Sequence, residues 1–310
     1  MHGSAGDGVE SPEVDARRAR RDSDFLELRP VLVGVAYRML GSNSEAEDVV
    51  QDAYFRWERA DSATVSSVRA YLTTTVTRLC IDRLRSAKVR RESYPGPWLP
   101  EPVATEELDL AETSAEFADS LSMAFLVLLK ELGPVERAAF LLHDVFKFSY
   151  AEIAETIDRT EVNCRQLVSR ARQRVGDRKH RFDADLEHSN ELTQLFLTAC
   201  ATGDVSGLVS LLADDVVVWT DGGGKVRAAP RPVVGPVRSA RFLVNVTKKG
   251  ASGAYARKVS LNGQPGLVLI ESGRVQSAVV LDIVERQIIG VRVVSNPEKL
   301  EALQYLVQTQ

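Results

Sequence analysis

The chain has 310 residues, of which 44% are hydrophobic and 26% are charged, and its formal net charge is −4. This length predicts two or three domains, each with enough apolar residues to bury a core. The negative balance argues against a protein that coats nucleic acid by bulk charge, but it leaves room for local basic faces. The three cysteines are far apart and have no metal-site spacing, so we expect buried thiols in a reducing compartment.

The N-terminal segment, residues 1–23, has no apolar core. It therefore predicts a disordered tail and not a secretory signal. No apolar run along the chain approaches the length of about 20 residues that is needed to cross a bilayer. We expect a cytoplasmic protein that has no membrane partner.

Residues 24–91 predict three helices. In the first, apolar side chains recur every three or four residues, and Gly41 ends the segment. Ser44 and Glu47 form a capping box, which predicts the start of the second helix. That helix, SEAEDVVQDAYFRW, is acidic, and one of its faces carries four side chains suited to a basic helical partner. They are Asp48, Gln51, Asp52 and Phe55.

The third helix of this segment begins near Val68. It is apolar in its first half and basic in its second half, in the sequence RAYLTTTVTRLCIDRLRSAKVRR. Cationic side chains at this density can neutralise the phosphates of a nucleic acid. The candidates are Arg78, Arg83, Arg85, Lys88 and Arg90.

Residues 92–115 predict a linker. The stretch YPGPWLPEP, at 94–102, has four prolines in nine residues, which excludes a helix and favours extended backbone. Trp98 and Leu99 are too apolar for a passive spacer. We therefore expect them to dock on a partner or on another domain.

Residues 116–182 return to helix and end in a predicted helix-turn-helix at 149–172, SYAEIAETIDRTEVNCRQLVSRAR. Asp158 stands in the turn, where a left-handed backbone is common. The second helix has an apolar stripe at spacings of 3, 4 and 7, and its opposite face carries long hydrogen-bond donors suited to a DNA major groove. Arg165, Gln166, Ser169 and Arg170 are the candidates for contacts with bases, and Arg172 and Arg174 for contacts with phosphates.

Residues 186–296 predict a third domain of a different class. Helices at about 188–202, 204–213 and 235–249 accompany five runs rich in β-branched residues, at 216–220, 255–261, 267–272, 277–284 and 288–294. This pattern is typical of an α+β domain with a curved antiparallel sheet. Residues 297–310 are left as a C-terminal tail.

The acidic helix, the long basic helix and the helix-turn-helix, in this order, closely resemble an extracytoplasmic-function (ECF) sigma factor of bacterial RNA polymerase. The resemblance identifies residues 24–91 as sigma domain 2 and residues 116–182 as sigma domain 4. The segments YPGPWLPEP, DGGGK (221–225) and NPEKL (296–300) are similar to those of sigma factors that carry a SnoaL-like domain. Residues 186–296 would then have the NTF2-like cone fold of that domain.

The resemblance implies two partners, core RNA polymerase and promoter DNA. The four residues of the acidic helix would dock on the clamp of the polymerase, and the basic end of the third helix would face the −10 element. The helix-turn-helix would read the −35 element. No cofactor and no metal is implied, since the polymerase supplies the chemistry.

The C-terminal domain is predicted to regulate the sigma domains by docking on domain 2 and on the linker. Whether it activates or inhibits is open at this stage, as is a small-molecule ligand in its cone pocket. A separate anti-sigma factor would not be required. The candidate regulatory residues are Trp98, Leu99, Asp221, Gly222, Gly223, Gly224, Lys225, Asn296 and Pro297. The plainer interpretation makes DGGGK a hairpin turn and NPEKL a helix start.

A second class of function also fits part of the chain, namely a helix-turn-helix transcription regulator with a small-molecule sensor domain. That hypothesis leaves the acidic helix, the basic helix and the proline-rich linker without a role. An enzyme is not expected, because the third domain shows isolated acids and no catalytic constellation.

Overall fold

The computed structural model describes residues 12–61, 65–92, 94–105, 120–179, 186–249 and 253–307. These residues form a helical N-terminal part, an extended linker segment and a C-terminal α+β part. The predicted order of two all-α units followed by an α+β unit is confirmed. We call the α+β unit the cone domain.

The N-terminal helices are α1 (Pro12–Leu40), α2 (Asn43–Arg59) and α3 (Val68–Glu92). Gly41 ends α1 at a φ of +69°, which glycine adopts without steric cost. The N-cap of α2 is Ser42, whose hydroxyl accepts a hydrogen bond from the Glu45 amide at 3.1 Å. The predicted cap at Ser44 is wrong, because a carboxylate of the linker binds the Ser44 amide and hydroxyl instead.

The start of α1 at Pro12 corrects the prediction of a disordered tail. Residues 12–23 are helical, and residues 1–11 lie outside the described part of the chain. The Arg21 guanidinium donates to the carbonyls of Glu58 and Ala60, at 2.7 and 2.5 Å. The Tyr54 hydroxyl donates to the Asp22 carboxylate at 2.8 Å. The N-terminal part of α1 is hydrophilic, and these polar contacts with α2 help to hold it in place.

The second helical unit contains the predicted helix-turn-helix. Its elements are α4 (Met123–Leu129), α5 (Pro134–Phe140), a π-helical turn (Leu141–Val145), α6 (Tyr150–Ile157) and α7 (Glu161–Lys179). Asp158, between α6 and α7, takes a left-handed φ of +54° and closes the turn. The position predicted to need a left-handed backbone therefore has one.

One apolar core joins the two helical units. Buried side chains of both units, among them Leu32, Leu72, Leu129 and Ile153, belong to a single cluster. Helix α3 packs directly on α6. Because buried apolar surface is favourable at roughly 25 cal/mol per Å², separating the units would expose core surface at a cost in free energy.

The C-terminal unit combines three helices with a mixed sheet. The helices are α8 (Leu186–Thr202), α9 (Val205–Leu211) and α10 (Pro236–Thr247). The strands are β1 (Leu212–Asp221), β2 (Val233–Val234), β3 (Tyr255–Leu261), β4 (Gln264–Glu271), β5 (Arg274–Val284) and β6 (Gln287–Val294).

The strand order is β2-β1-β6-β5-β4-β3, and β1 pairs with β6 in parallel. The predicted all-antiparallel sheet is therefore wrong in this pair. The reason is topological, since the chain leaves β1 through α10 and the β3–β6 meander before it returns beside β1. The remaining neighbours pair antiparallel, as predicted.

The two faces of the sheet have different neighbours. One face packs on α8, α9 and α10 around residues such as Leu208 and Leu281. The other face packs on the linker, on α4 and on a 3₁₀ helix, Pro297–Val307. Leu300, Leu303 and Leu306 are buried in that second layer. The predicted tail is thus wrong for residues 297–307, which are part of the core, and residues 308–310 lie outside the described part.

Candidate functional site

The outer face of α7 presents the side chains predicted to contact bases. All four are exposed: Arg165, Gln166, Ser169 and Arg170. The Arg165 guanidinium pairs with the Glu161 carboxylate at 2.8 Å and lies 5.0 Å from the centroid of the Tyr150 ring. An i, i+4 pair of this kind is weak at the surface, so it leaves Arg165 free to exchange partners.

The two arginines predicted to contact phosphates are held by carboxylates of the same domain. Arg172 binds Asp144 through two N–H groups, at 2.6 and 2.9 Å. Asp144 lies in the π-helical turn and also contacts His143 at 2.7 Å. Burial tends to raise the pKa of Asp144, but the hydrogen bonds from Arg172 and His143 outweigh it and lower that pKa. Arg174 is bound at 2.6 Å to the nearly buried carboxylate of Glu136.

The basic end of α3 is turned partly toward the second helical unit. The Arg78 guanidinium donates to the Glu155 and Thr156 carbonyls at 2.9 Å each. These carbonyls lie at the C-terminal end of α6, where unsatisfied backbone acceptors favour a cation. Arg78 therefore joins the two helical units and is not available to DNA in this arrangement.

Arg83 faces the acidic helix α2. Its guanidinium lies 3.4 Å from the Asp48 carboxylate and 3.6 Å from that of Asp52. Phe55, on the same face of α2, has 45% of its surface exposed. Gln51 is exposed on this face, and Arg85 pairs with Asp82 at 3.4 Å. The side chains of Lys88 and Arg90 lie outside the described part of the structure.

Asp221, at the end of β1, binds the linker. Its carboxylate accepts hydrogen bonds from the Tyr94 hydroxyl at 2.6 Å and from the Leu99 amide at 2.8 Å. It also receives the Lys299 ammonium at 2.7 Å, and the Asp221 side chain is fully buried. We call the set Tyr94, Leu99, Asp221 and Lys299 the clasp.

Lys299 has both aromatic and polar neighbours in the clasp. Its ammonium donates to the Leu99 carbonyl at 2.5 Å and lies 4.1 Å from the Trp98 ring centroid and 5.1 Å from that of Tyr94. Burial, and then the bond to Asp221, raise the pKa of the Tyr94 hydroxyl above its ordinary range. The hydroxyl therefore stays a donor at physiological pH.

The two short motifs predicted to regulate the protein shape the clasp. Gly223 and Gly224 have φ values of +63° and +72°, and a Cβ on Gly224 would approach Pro95 to 2.7 Å. The Asn296 amide donates to the Tyr94 hydroxyl at 3.1 Å. Gly222 is buried at the start of this turn, Lys225 pairs with Glu298, and Pro297 begins the 3₁₀ helix.

A second junction is built around Asn262, in the β3–β4 turn. Its side-chain amide donates to the Tyr37 hydroxyl at 2.6 Å and to the Leu121 carbonyl at 3.1 Å. Its side-chain oxygen accepts from the Val103 amide at 3.1 Å. One fully buried side chain of the cone domain thus contacts α1, the linker and the segment that leads into α4.

The linker is also fastened to the start of α2. The Glu101 carboxylate accepts from the Ser42 hydroxyl at 2.8 Å and from the Asn43 amide at 2.6 Å. The Glu101 carbonyl accepts from the Tyr37 hydroxyl at 2.7 Å. A carboxylate at a helix N-terminus is favoured by the helix dipole, so this contact caps α2 from a distant part of the chain.

Sequence reasoning missed four residues of these junctions: Tyr94, Glu101, Asn262 and Lys299. Tyr94, Glu101 and Lys299 lie inside motifs that the sequence analysis singled out, but their partners are distant in sequence. Asn262 precedes Gly263, and this pair is a strong hairpin signal. The signal predicts the turn and contains no information on what the turn would touch.

The isolated acids of the cone domain have structural partners. Asp282 is buried against Arg292, whose guanidinium lies 4.6 Å from the centroid of the Trp219 ring. Burial lowers the pKa of Arg292 to about 9. Among the described residues, no group of three His, Cys, Asp or Glu side chains is placed to hold a metal ion. None of the described helices is long and apolar enough to cross a membrane.

The helical part has the features of the sigma-70 class. Sigma-70 region 2 matches residues 25–90, and Sigma-70 region 4 matches residues 122–175. These ranges cover most of α1–α3 and of α4–α7, the two units that carry the basic, acidic and helix-turn-helix surfaces.

The relatives extend over the C-terminal part as well. The ECF RNA polymerase sigma factor SigJ of Mycobacterium tuberculosis is 41% identical over 79% of each chain. The probable ECF sigma factor SigI of the same species is 30% identical over 89% of this chain and 93% of its own. The crystal structure of M. tuberculosis SigJ matches with a TM-score of 0.69 and 33% identity, over 90% of this chain and 98% of that one. The chain belongs to the ECF RNA polymerase sigma factors, and its function is promoter-directed transcription initiation.

Proposed function

We propose that this sigma factor is held closed by its own C-terminal domain. In the closed form the clasp and the Asn262 junction fix the linker and both sigma domains against the cone domain. The observation that carries the proposal is the fully buried Asp221 carboxylate, which binds linker and 3₁₀ helix together at 2.6 to 2.8 Å. A separate anti-sigma protein is not needed, because the cone domain is tethered to the sigma domains. Tethering raises the effective concentration of the cone domain to about millimolar.

The positions of the sigma domains support this proposal. To read two promoter elements at once, α3 and α7 must lie apart on the DNA. Here α3 packs on α6, with Arg78 bound to the α6 carbonyls. Arg83 also faces Asp48 and Asp52, so a residue assigned to the −10 element neutralises residues assigned to the polymerase. Opening would release Arg78 from the α6 carbonyls, whereas the contacts of Arg83 lie within domain 2 and are exchanged only when polymerase or DNA binds.

In the open form each surface takes a separate role. Asp48, Gln51, Asp52 and Phe55 dock on core polymerase in the cytoplasm. Arg78, Arg83, Arg85, Lys88 and Arg90 contact the −10 region, and Arg165, Gln166, Ser169 and Arg170 read the −35 duplex. Arg172 and Arg174 contact phosphates, held in place by Asp144 and Glu136. The cone domain regulates and does not catalyse.

The test is in vitro transcription with core polymerase and a promoter library, using the full chain with Asp221→Ala. Spin labels on α2 and α7 report the distance between the sigma domains in the same samples. We expect more transcript and a longer interdomain distance than in the unsubstituted chain. Equal transcript and equal distance would rule out inhibition through the clasp. A loss of transcript with a longer distance would make the cone domain an activating part of the factor.

The alternative, a helix-turn-helix regulator with a small-molecule sensor, accounts for α6 and α7 only. It assigns no role to the acidic face of α2 or to the region 2 match over residues 25–90. Binding to core polymerase separates the two hypotheses directly.

A further inference from the structure

The cone domain carries a charge asymmetry that its regulatory role leaves unexplained. Residues 222–270 contain nine lysines and arginines and not one aspartate or glutamate, although the whole chain has a net charge of −4. Six of these cations lie in the loop before α10, in α10 or directly after it: Arg227, Arg231, Arg238, Arg241, Lys248 and Lys249. All six are exposed, and none forms an ion pair with a carboxylate in the described part of the chain.

Helix α10 arranges several of these cations in one line. Arg238, Arg241, Asn245 and Lys248 follow at spacings of three and four, so they occupy one face of the helix. The opposite face, with Leu243 and Val244, is buried on the cone domain. At 1.5 Å per residue the line is about 15 Å long. The result is a rigid, outward-facing row of cations.

Helix stability does not explain this arrangement. The dipole favours Lys248 and Lys249 at the C-terminal end of α10, but it disfavours Arg238, which lies in the first turn. No acidic residue occupies that turn to compensate it. Arg238 and Arg241 are also like charges three residues apart, which is mildly unfavourable in an isolated helix. Arg238 and Arg241 are therefore placed against the local preferences of the helix.

We propose that the exposed face of α10, with Arg238, Arg241, Lys248 and Lys249, binds the phosphate backbone of duplex DNA together with Arg227 and Arg231 of the preceding loop. Successive phosphates on a strand of B-DNA advance by about 3.4 Å along the axis, so the row on α10 spans about four of them. Charge complementarity selects a polyanion, and promoter DNA is the polyanion that the proposed function brings to this protein. The cone domain then adds sequence-independent affinity for DNA.

The position of the loop supports this partner. A Cβ on Gly96 of the linker would lie 3.8 Å from the Ala229 carbonyl and from Pro230, so the loop between Arg227 and Arg231 touches the linker. DNA bound to this face would lie next to the segment that the clasp holds. The proposal rests on the proposed function for its partner, but DNA binding by the free chain requires neither polymerase nor opening of the clasp.

The test is fluorescence anisotropy of a labelled mixed-sequence duplex with the full chain, over about 50 to 200 mM salt. The variant is Arg238→Gln with Arg241→Gln. Its control, Lys258→Gln with Arg274→Gln, removes the same charge from exposed positions elsewhere on the cone domain. We expect the slope of log affinity against log salt to become shallower by about two for the variant and to stay unchanged for the control. Arg238→Lys with Arg241→Lys should restore the slope.

Two results would overturn the proposal. One is an equal slope for the variant and the unsubstituted chain. The other is an equal loss in the variant and in the control, which would reduce the effect to net charge. Binding to vesicles of anionic phospholipid is measured in parallel. If the variant loses vesicle binding but keeps its DNA binding, the proposal is also overturned and the face is assigned to a membrane surface. Thermal melting of each variant shows that the fold is retained.

Discussion

The ammonium of Lys299 lies 2.7 Å from the Asp221 carboxylate, and both side chains are buried at the boundary between linker and cone domain. A buried ion pair repays its desolvation only when further hydrogen bonds satisfy the remaining atoms. Here the Tyr94 hydroxyl, the Leu99 amide and the Leu99 carbonyl do so. The pair therefore secures one arrangement of the linker.

Asp221→Asn should destabilise the closed form. It leaves the Lys299 ammonium buried without a counter-charge, a loss of about 3–5 kcal/mol when one partner of a buried pair is removed. Urea unfolding of the full chain measures the change. Asp214→Asn, at an exposed position on the same strand, is the control and should be neutral. Equal stability of the two variants would contradict the role given to the clasp.

Substitution of Asn262 should weaken the contacts of the cone domain with α1, with the linker and with the segment that leads into α4. Its loss leaves the Val103 amide and the Leu121 carbonyl short of a partner, at about 1–3 kcal/mol for each buried group. Asn262→Gly keeps the backbone at its φ of +54°, whereas Asn262→Ala adds a further penalty of about 1–2 kcal/mol for the left-handed conformation. Calorimetry should show a lower melting temperature for both variants than for the unsubstituted chain, and a lower one for the alanine variant than for the glycine variant. If the glycine variant melts like the unsubstituted chain, the side chain contributes nothing.

The bond between Asp144 and Arg172 should make domain 4 sensitive to acid. The folded protein lowers the pKa of Asp144, so its contribution is present above the unfolded pKa of about 3.9 and is lost as pH falls through the lower, folded value. Asp144→Asn should therefore cost stability at pH 7 and progressively less below about pH 4. Urea unfolding at several pH values measures this, and a constant difference between the two proteins would refute it.

Two glycine-to-alanine substitutions should have opposite effects. At Gly41 the φ is +69°, and a Cβ would meet the Trp98 ring at 2.9 Å, so Gly41→Ala should displace the linker and destabilise the fold by more than about 1 kcal/mol. At Gly176, inside α7, a Cβ meets nothing within 4 Å. Gly176→Ala should stabilise by about 0.5–1 kcal/mol. Thermal midpoints of both variants, measured side by side, test the pair of predictions.

The sequence by itself determined the helices, most of the strands and the family. Local signals carry that information: the apolar stripe of α7, the prolines of the linker and the β-branched runs from Tyr255 to Val294 depend on near neighbours. Where the secondary structure predicted from the sequence was wrong, contacts with residues distant in the sequence determined the structure. Residues 12–23 are helical, and α2 with the residue after it binds Arg21 and Asp22 of this segment. Residues 297–307 are ordered because the sheet buries Leu300, Leu303 and Leu306.

Only the tertiary structure decided what the functional groups touch. The sequence identified Arg78 and Arg172 as cations suited to DNA, but it could not show that α6 carbonyls hold the first and Asp144 the second. It identified Asp221 as part of a motif without its partners Tyr94 and Lys299, which lie 127 and 78 residues away. Hydrogen bonds and ion pairs depend on distances of about 3 Å, and such proximity between remote residues arises only when the whole chain is folded.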